Sequence, residues 1–383
     1  MEKDYVLGWL LMGIGRHPLL RGWVFKGGTC LKKCFFETYR FSEDLDFTVP
    51  QAMVYEAEAY RVALSECVEA VTEETGIHFP PEDIEMKESF DKAKKLTFLG
   101  KLSYRGPLMQ QTSTPPRIKI DLTQNELIAE SPEERPIRHF YSDAPQPPVS
   151  ILCYSVNEIL AEKTRALCER QGRARDLYDV VNIIRNFSEQ LNLRKASDTI
   201  RRKFTYKLLQ APTVESILKA VDSNVMQANW AQQLRHQLPT LPPVMSYLEE
   251  LRSTALKWVV AAPVVERAPP ISSNPGEQPI PRSPFPQLHE VGIPRGAYSG
   301  GILDSIRYAA RNRLCVEIYY HGGSRLMEPY SLRMPKTGNL LLYAFELSKG
   351  GIPTQAIKAY KVAEIQASKA TETAFRPRFM IEL

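Results

Sequence analysis

The chain has 383 residues, 43% hydrophobic and 24% charged, with a formal net charge of +5. These values are ordinary for soluble globular protein, and the length predicts two or three domains. No apolar run reaches the ~18 residues of a membrane span, and the start Glu2-Lys3-Asp4 does not match a secretory signal, so a cytoplasmic protein with no membrane partner is expected.

In chain order, residues 2–15 read as a helix whose "VLGWLLMG" is its buried face. "WVFKGG" is a short buried strand ended by glycines, residues 29–37 a helix, "LDFTV" a strand and residues 51–75 a helix. "KLTFLGKLSY" and "RIKIDLT" alternate as strands do. From Ser155 to about 260 the pattern is helical. A mixed sheet (1–150) before a helical part (151–260) predicts an α+β catalytic core with a helical C-terminal half. Nine prolines between Pro263 and Pro294 forbid regular structure and place a linker at 262–297. Residues 298–383 then read as a helix (302–312) and short strands, "CVEIYYHG", "LLLYAFEL" and "IKAYKVAEIQ", of a small β-barrel or strongly bent sheet. Residues 301–383 hold 12 Lys/Arg against 7 Asp/Glu, the whole of the net excess, which suits an anionic partner such as nucleic acid. Cys30, Cys34, Cys67, Cys153, Cys168 and Cys315 form no Cys-x-x-Cys pair and read as free, reduced thiols, with Cys30 and Cys34 as small core residues.

The chemistry begins at Gly27-Gly28-Thr29. Glycine lets backbone approach a ligand closely, and a helix starting after Gly28 would aim free N–H groups at an anion, with the Thr29 hydroxyl beside them; a plain turn has the same pattern. Asp44 and Asp46 share one strand face while Leu45 and Phe47 turn inward. Adjacent carboxylates repel unless positive charge intervenes, and hard oxygen donors suit Mg²⁺; the other reading is an exposed polar face. Asp121 ends "RIKIDLT" on the face it shares with Lys119. On a strand beside Asp44 and Asp46 it would complete a carboxylate set for two metal ions, as phosphoryl-type transfer uses.

The helical part supplies cations. Ser155 and Glu158 have capping-box spacing, and Gly172 is a plausible stop. Lys163 falls close to the apolar stripe, where it either meets an anion or snorkels to solvent. Arg173 and Arg175 precede Asp176, which either caps the next helix or orients Lys163 or Arg175. The basic helix Arg194–Lys207 is either an RNA-tracking face or a solvated one. Ser42 shapes the turn before the aspartates or touches the nucleotide.

Together, "EKDYVLGWLL", "FKGGTCLKKCFFETYRFSEDLDFTV", "IKIDLTQNE" and "EILAEKTRALCERQGRARDLYDV" resemble the AbiEii/AbiGii nucleotidyltransferase family over roughly residues 1–250. The resemblance implies a DNA-polymerase-β-like nucleotidyltransferase fold. It implies that Gly27, Gly28 and Thr29 handle the triphosphate, that Asp44 and Asp46 are paired metal ligands with Asp121 as third carboxylate, and that Lys163, Arg175 and Asp176 are the family's helical Lys and Arg-Asp motif. The implied activity is Mg²⁺-dependent transfer of NMP from NTP to RNA, notably the tRNA 3′ end, with Mn²⁺ as an alternative ion. The implied setting is an abortive-infection or toxin–antitoxin system, with an antitoxin encoded beside the toxin. The tail, through Arg325, Glu328-Pro329-Tyr330-Ser331-Leu332 and "NLLLYAFE", resembles a WYL domain, a small SH3/Sm-like β-module that binds ligands or nucleic acid, although Leu341 replaces the Trp of the family's name motif. Arg313, Arg325, Arg333 and Tyr343 are its nucleic-acid candidates; Tyr319 and Tyr343 also suit a barrel core. Two other readings stay open: a regulatory nucleotide-binding module without turnover, and NMP transfer to protein.

Overall fold

The computed structural model describes residues 2–91, 93–108, 115–221, 223–259, 301–334 and 338–383. The expected linker at 262–297 lies outside them. The principal helices are α1 (Glu2–Arg16), α2 (Gly27–Cys30), α3 (Ala57–Thr75), α4 (Val156–Glu169), α5 (Ala174–Phe187), α6 (Leu193–Tyr206), α7 (Val214–Ala220), α8 (Ser223–Leu234), α9 (Val244–Val259) and α10 (Ile302–Arg311). They and the strands fall into two compact units.

The first unit holds a seven-stranded mixed sheet: β1 (Val24–Lys26), β2 (Leu45–Thr48), β3 (Ile84–Phe90), β4 (Leu96–Ser103), β5 (Arg117–Thr123), β6 (Glu133–Pro136) and β7 (Ser150–Cys153), in the order β3-β4-β5-β2-β1-β7-β6. β2 runs parallel to β5 and antiparallel to β1. The acidic strand therefore lies mid-sheet rather than at an edge, because its alternate residues are apolar enough to be covered. Leu45 and Phe47 are fully buried, and Phe47 stacks on Phe25 with ring centroids 5.0 Å apart. β5 alternates as expected: Ile118, Ile120 and Leu122 are buried, while Arg117, Lys119 and Asp121 face solvent.

The expected helix at 29–37 begins as α2 and continues as a π-helical turn, Leu31–Phe35. Wide turns of this kind often mark functional sites. The expected helix at 51–75 starts only at Ala57 and ends at Gly76, whose left-handed backbone (φ 72°) returns its N–H to the Thr72 carbonyl.

α4 packs on α6. Ser155 caps α4 by accepting from the Glu158 N–H at 3.1 Å, but the reciprocal half of the box is absent. Glu158 instead accepts from the N–H groups of Ala129 (2.7 Å) and Glu130 (3.1 Å) and pairs with buried Lys203 at 2.9 Å. Basic α6 is thus neither a bare RNA track nor simply a solvated face: Lys195 pairs with Glu130, Lys207 with Glu126, and Arg202 donates to the Ala129 carbonyl.

The second unit contains α5 up to Asn186, α8, α9 up to Leu256, α10 and a five-stranded antiparallel sheet. Its strands are β8 (Leu314–Tyr320), β9 (Gly323–Arg333), β10 (Leu341–Lys349), β11 (Ile352–Lys361) and β12 (Ile365–Ala374). They form the linear order β11-β10-β9-β8-β12. "IKAYKVAEIQ" is not one strand; a 3₁₀ turn at Val362–Glu364 divides it between β11 and β12. Tyr178 stacks on Tyr247 (5.4 Å), and both hydroxyls donate to Asn312 Oδ1 at 3.0 and 2.9 Å. Glu250 on α9 holds both Arg185 and Arg313 at 2.8 Å. Helices α5 and α9 thus meet the segment that links α10 to β8 through Asn312 and Arg313.

Candidate active site

Strand register builds the site. On β1, Lys26 lies opposite Asp46 of β2, and Asp46 lies opposite Asp121 of β5. One cation and two carboxylates therefore form a row across three adjacent strands. Asp44, exposed, stands two residues before Asp46, just ahead of the strand.

The electrostatics follow from this crowding. Burial pushes the Asp46 carboxyl up to about 6, with Asp121 adding to the rise and Lys26 and Lys163 opposing it. Partial burial and the charge of Asp44 also raise Asp121. Lys26 itself is fixed by Glu162 of α4 at 2.9 Å. Although burial opposes its ionisation, Lys26, Lys203 and Arg165 hold the Glu162 carboxyl down at about 2. Carboxylates that lift Asp46 and Asp121 in this way would gain from a bound cation, and all-oxygen donors match Mg²⁺ or Mn²⁺. Asp44, Asp46 and Asp121 offer the oxygen donors a divalent ion takes, although their carboxylate oxygens do not all stand within 4.8 Å of one another.

The glycines abut this row. Gly27 is left-handed (φ 80°), and a Cβ there would stand 2.4 Å from Asp46 Oδ2. A Cβ at Gly28 would stand 2.5 Å from Arg40 Nη2 and 2.9 Å from Ser42 Oγ. Only glycine leaves room for the carboxylate on one side and the guanidinium on the other. Thr29 is fully buried; its hydroxyl donates to the Asp44 carbonyl at 2.6 Å and shares a hydrogen bond with Ser42 Oγ at 2.9 Å. Its hydroxyl thus ties the glycine turn to the aspartate segment, and Ser42 is part of that tie.

Residues 9–262 match the family model for the nucleotidyl transferase AbiEii toxin of type IV toxin–antitoxin systems. The chain belongs to the AbiEii family. It is accordingly a nucleotidyltransferase toxin of the type IV toxin–antitoxin class. No curated protein is significantly similar to it. Among solved structures it is similar to MenT4, a nucleotidyltransferase toxin from Mycobacterium tuberculosis H37Rv, at 21% identity and a TM-score of 0.43, over 66% of this chain and 80% of that one. No described helix is long and apolar enough to cross a membrane.

For an AbiEii protein, the first unit gathers Gly27, Gly28, Thr29, Ser42, Asp44, Asp46, Asp121 and Lys163. Arg175 and Asp176 belong to the second unit, on the first turn of α5, where Arg175 is half-buried and Asp176 buried. Three residues of the site were missed in the sequence. Lys26 precedes Gly27 directly, and antiparallel pairing of "VFK" with "DFT" would have placed it opposite Asp46. Glu162 adjoins Lys163, but its pairing with Lys26 spans 136 residues of chain. Arg40 carries no local signal.

The nucleic-acid candidates of the second unit are engaged internally. Arg325 is buried and faces Glu346 at 3.5 Å, which also accepts from the Tyr360 hydroxyl. Arg333 pairs with Glu382, and Arg313 with Glu250. Tyr343 packs half-buried against the core around Cys315, Tyr330 and Phe375. In the WYL-like stretch, Glu328 accepts from the Tyr330 hydroxyl at 2.6 Å and from Arg378 at 3.1 Å.

Proposed function

We propose that this AbiEii toxin transfers an NMP from an NTP to RNA, at the 3′ end of tRNA, with Mg²⁺ or, less suited, Mn²⁺ as cofactor. The observation that carries this reading is the register of Asp46 with Asp121, with Asp44 two residues ahead and the glycine turn against Asp46. Asp44, Asp46 and Asp121 would hold the ion. When bound, it would neutralise charge at the triphosphate and favour the ionised acceptor hydroxyl. The Gly27-Gly28 turn would offer backbone N–H groups to phosphate oxygens. Lys163 and Arg40, in the same unit as the carboxylates, would supply positive charge. Asp121, with its raised proton affinity, would accept the acceptor hydroxyl's proton as its oxygen bonds to the α-phosphorus and pyrophosphate leaves.

The toxin would act in the cytoplasm, where NTP and tRNA occur, held in check by an antitoxin encoded beside it, in a phage-defence setting. The C-terminal sheet would act as a WYL-like sensor or nucleic-acid module. Its buried Arg325 and paired Arg313 and Arg333 direct any such contact to other side chains.

Incubation with each labelled NTP, Mg²⁺, total tRNA and cell protein tests the reading. Label should enter tRNA, and Asp44→Asn should abolish it while leaving the circular dichroism spectrum unchanged. Undiminished transfer by Asp44→Asn would overturn the site; label in protein would overturn the acceptor; nucleotide binding without transfer would favour a regulatory module.

A further inference from the structure

We propose that Cys30, Cys34 and Cys153 form a binding site for a soft, thiophilic monovalent ion, Cu⁺. The three Sγ atoms all lie within 4.8 Å of one another, and all three residues are buried. They come from separate elements: Cys30 from α2, Cys34 from the π-helical turn Leu31–Phe35 and Cys153 from the end of β7. None is in a disulfide. Metal–thiolate bonds of ~2.3 Å set sulfurs about 4 Å apart in a trigonal plane, so small side-chain adjustments close the present arrangement around an ion.

The donor set points to the ion. Thiolates select soft d¹⁰ metals. Among the described residues, no His, Asp, Glu or further Cys joins the cluster as a fourth donor. Zn²⁺ strongly favours four ligands, whereas three thiolates satisfy Cu⁺. Positive charge offsets the thiolates: Lys33 and Arg138 act on Cys34, and Arg135 acts on Cys153. On loading, three Cu–S bonds would form and the thiol protons would pass to solvent, with no change of oxidation state. The π-helical turn brings Cys34 to the cluster, which gives that unusual turn a role. Because Cys30 directly follows Gly27-Gly28-Thr29, the ion would tie the glycine turn to β7.

Full-length reduced protein is titrated anaerobically with Cu⁺ held by a chromophoric chelator, after incubation long enough for a buried site to equilibrate. One equivalent should be withdrawn and should raise the melting temperature. Cys34→Ser and Cys153→Ser should each weaken uptake about ten-fold or more and lose the thermal shift, whereas Cys168→Ser should match wild type. X-ray absorption at the copper edge should count three sulfur neighbours, a readout that holds even if a variant folds poorly. No uptake by wild type, uptake unchanged in folded Cys34→Ser, or fewer than three sulfurs would each overturn the site.

Discussion

Asp46 and Asp121 occupy facing positions on adjacent parallel strands, and Lys26 flanks Asp46 on its other side. Burial and the second carboxylate lift the Asp46 carboxyl from 3.8 to about 6. Between these values the folded protein binds more protons than the unfolded chain, so the Asp46 contribution to stability declines as pH rises from about 4 to 6. In metal-free buffer, Asp46→Asn should therefore gain melting temperature relative to wild type as pH goes from 4 to 7. Thermal melts across that range in EDTA check this; a constant difference would show that Asp46 titrates as an ordinary aspartate.

Gly27→Ala combines two penalties. The left-handed backbone costs about 1–2 kcal/mol for a residue with a Cβ, and the new Cβ meets Asp46 Oδ2. We expect a lower melting temperature and a loss of NMP transfer of about ten-fold or more from the displaced carboxylate. Gly76→Ala is the control: its φ is 72° and nothing lies within 4 Å of a Cβ there. It should lose only the backbone part of that stability and keep its activity, so equal activity loss in both would disconnect Gly27 from the site.

The Lys26–Glu162 pair is largely shielded, with side-chain exposures of 11% and 14%. Removing one partner of a buried pair strands the other charge, at a cost of about 3–5 kcal/mol. Lys203 and Arg165 also act on Glu162, which moves the expectation for Lys26→Met to the lower end of that range. Adding Glu162→Gln to Lys26→Met should recover part of the loss, because the uncompensated carboxylate is gone. Urea unfolding of the single and double variants measures both effects; strictly additive losses would mean the two residues are not coupled.

Arg325 was a nucleic-acid candidate, yet it lies inside the C-terminal sheet against Glu346. Arg325→Ala should destabilise the protein by about 3 kcal/mol. Arg376, whose side chain is 94% exposed, should tolerate Ala within about 0.5 kcal/mol. Denaturant midpoints decide it: an Arg325→Ala protein as stable as wild type but weakened in RNA binding would restore the surface role.

Much of the first sheet was legible in the chain because strand parity is a local signal. Ile118, Ile120 and Leu122 alternate with Lys119 and Asp121, and the burial of β5 follows that pattern. The glycine turn and the Asp-x-Asp segment were equally plain, since both depend on residues a few positions apart. Helix bounds were less so: residues 51–56 have helical composition but precede α3, and the Ser155/Glu158 spacing gave only half a capping box because Glu158 found Lys203 instead.

By itself the sequence determined the family and the mixed α+β class, and it singled out the candidate carboxylates and glycines, all from short-range patterns of residue type. Tertiary structure alone decided which charges meet. Lys26 reaches Glu162 across 136 residues, Cys153 joins Cys30 and Cys34, and α5 and α9 meet Asn312 and Arg313 ahead of the C-terminal sheet. Such pairings depend on strand order and helix docking, and a buried charge or thiol takes whatever partner the packed chain brings within reach, however distant in sequence.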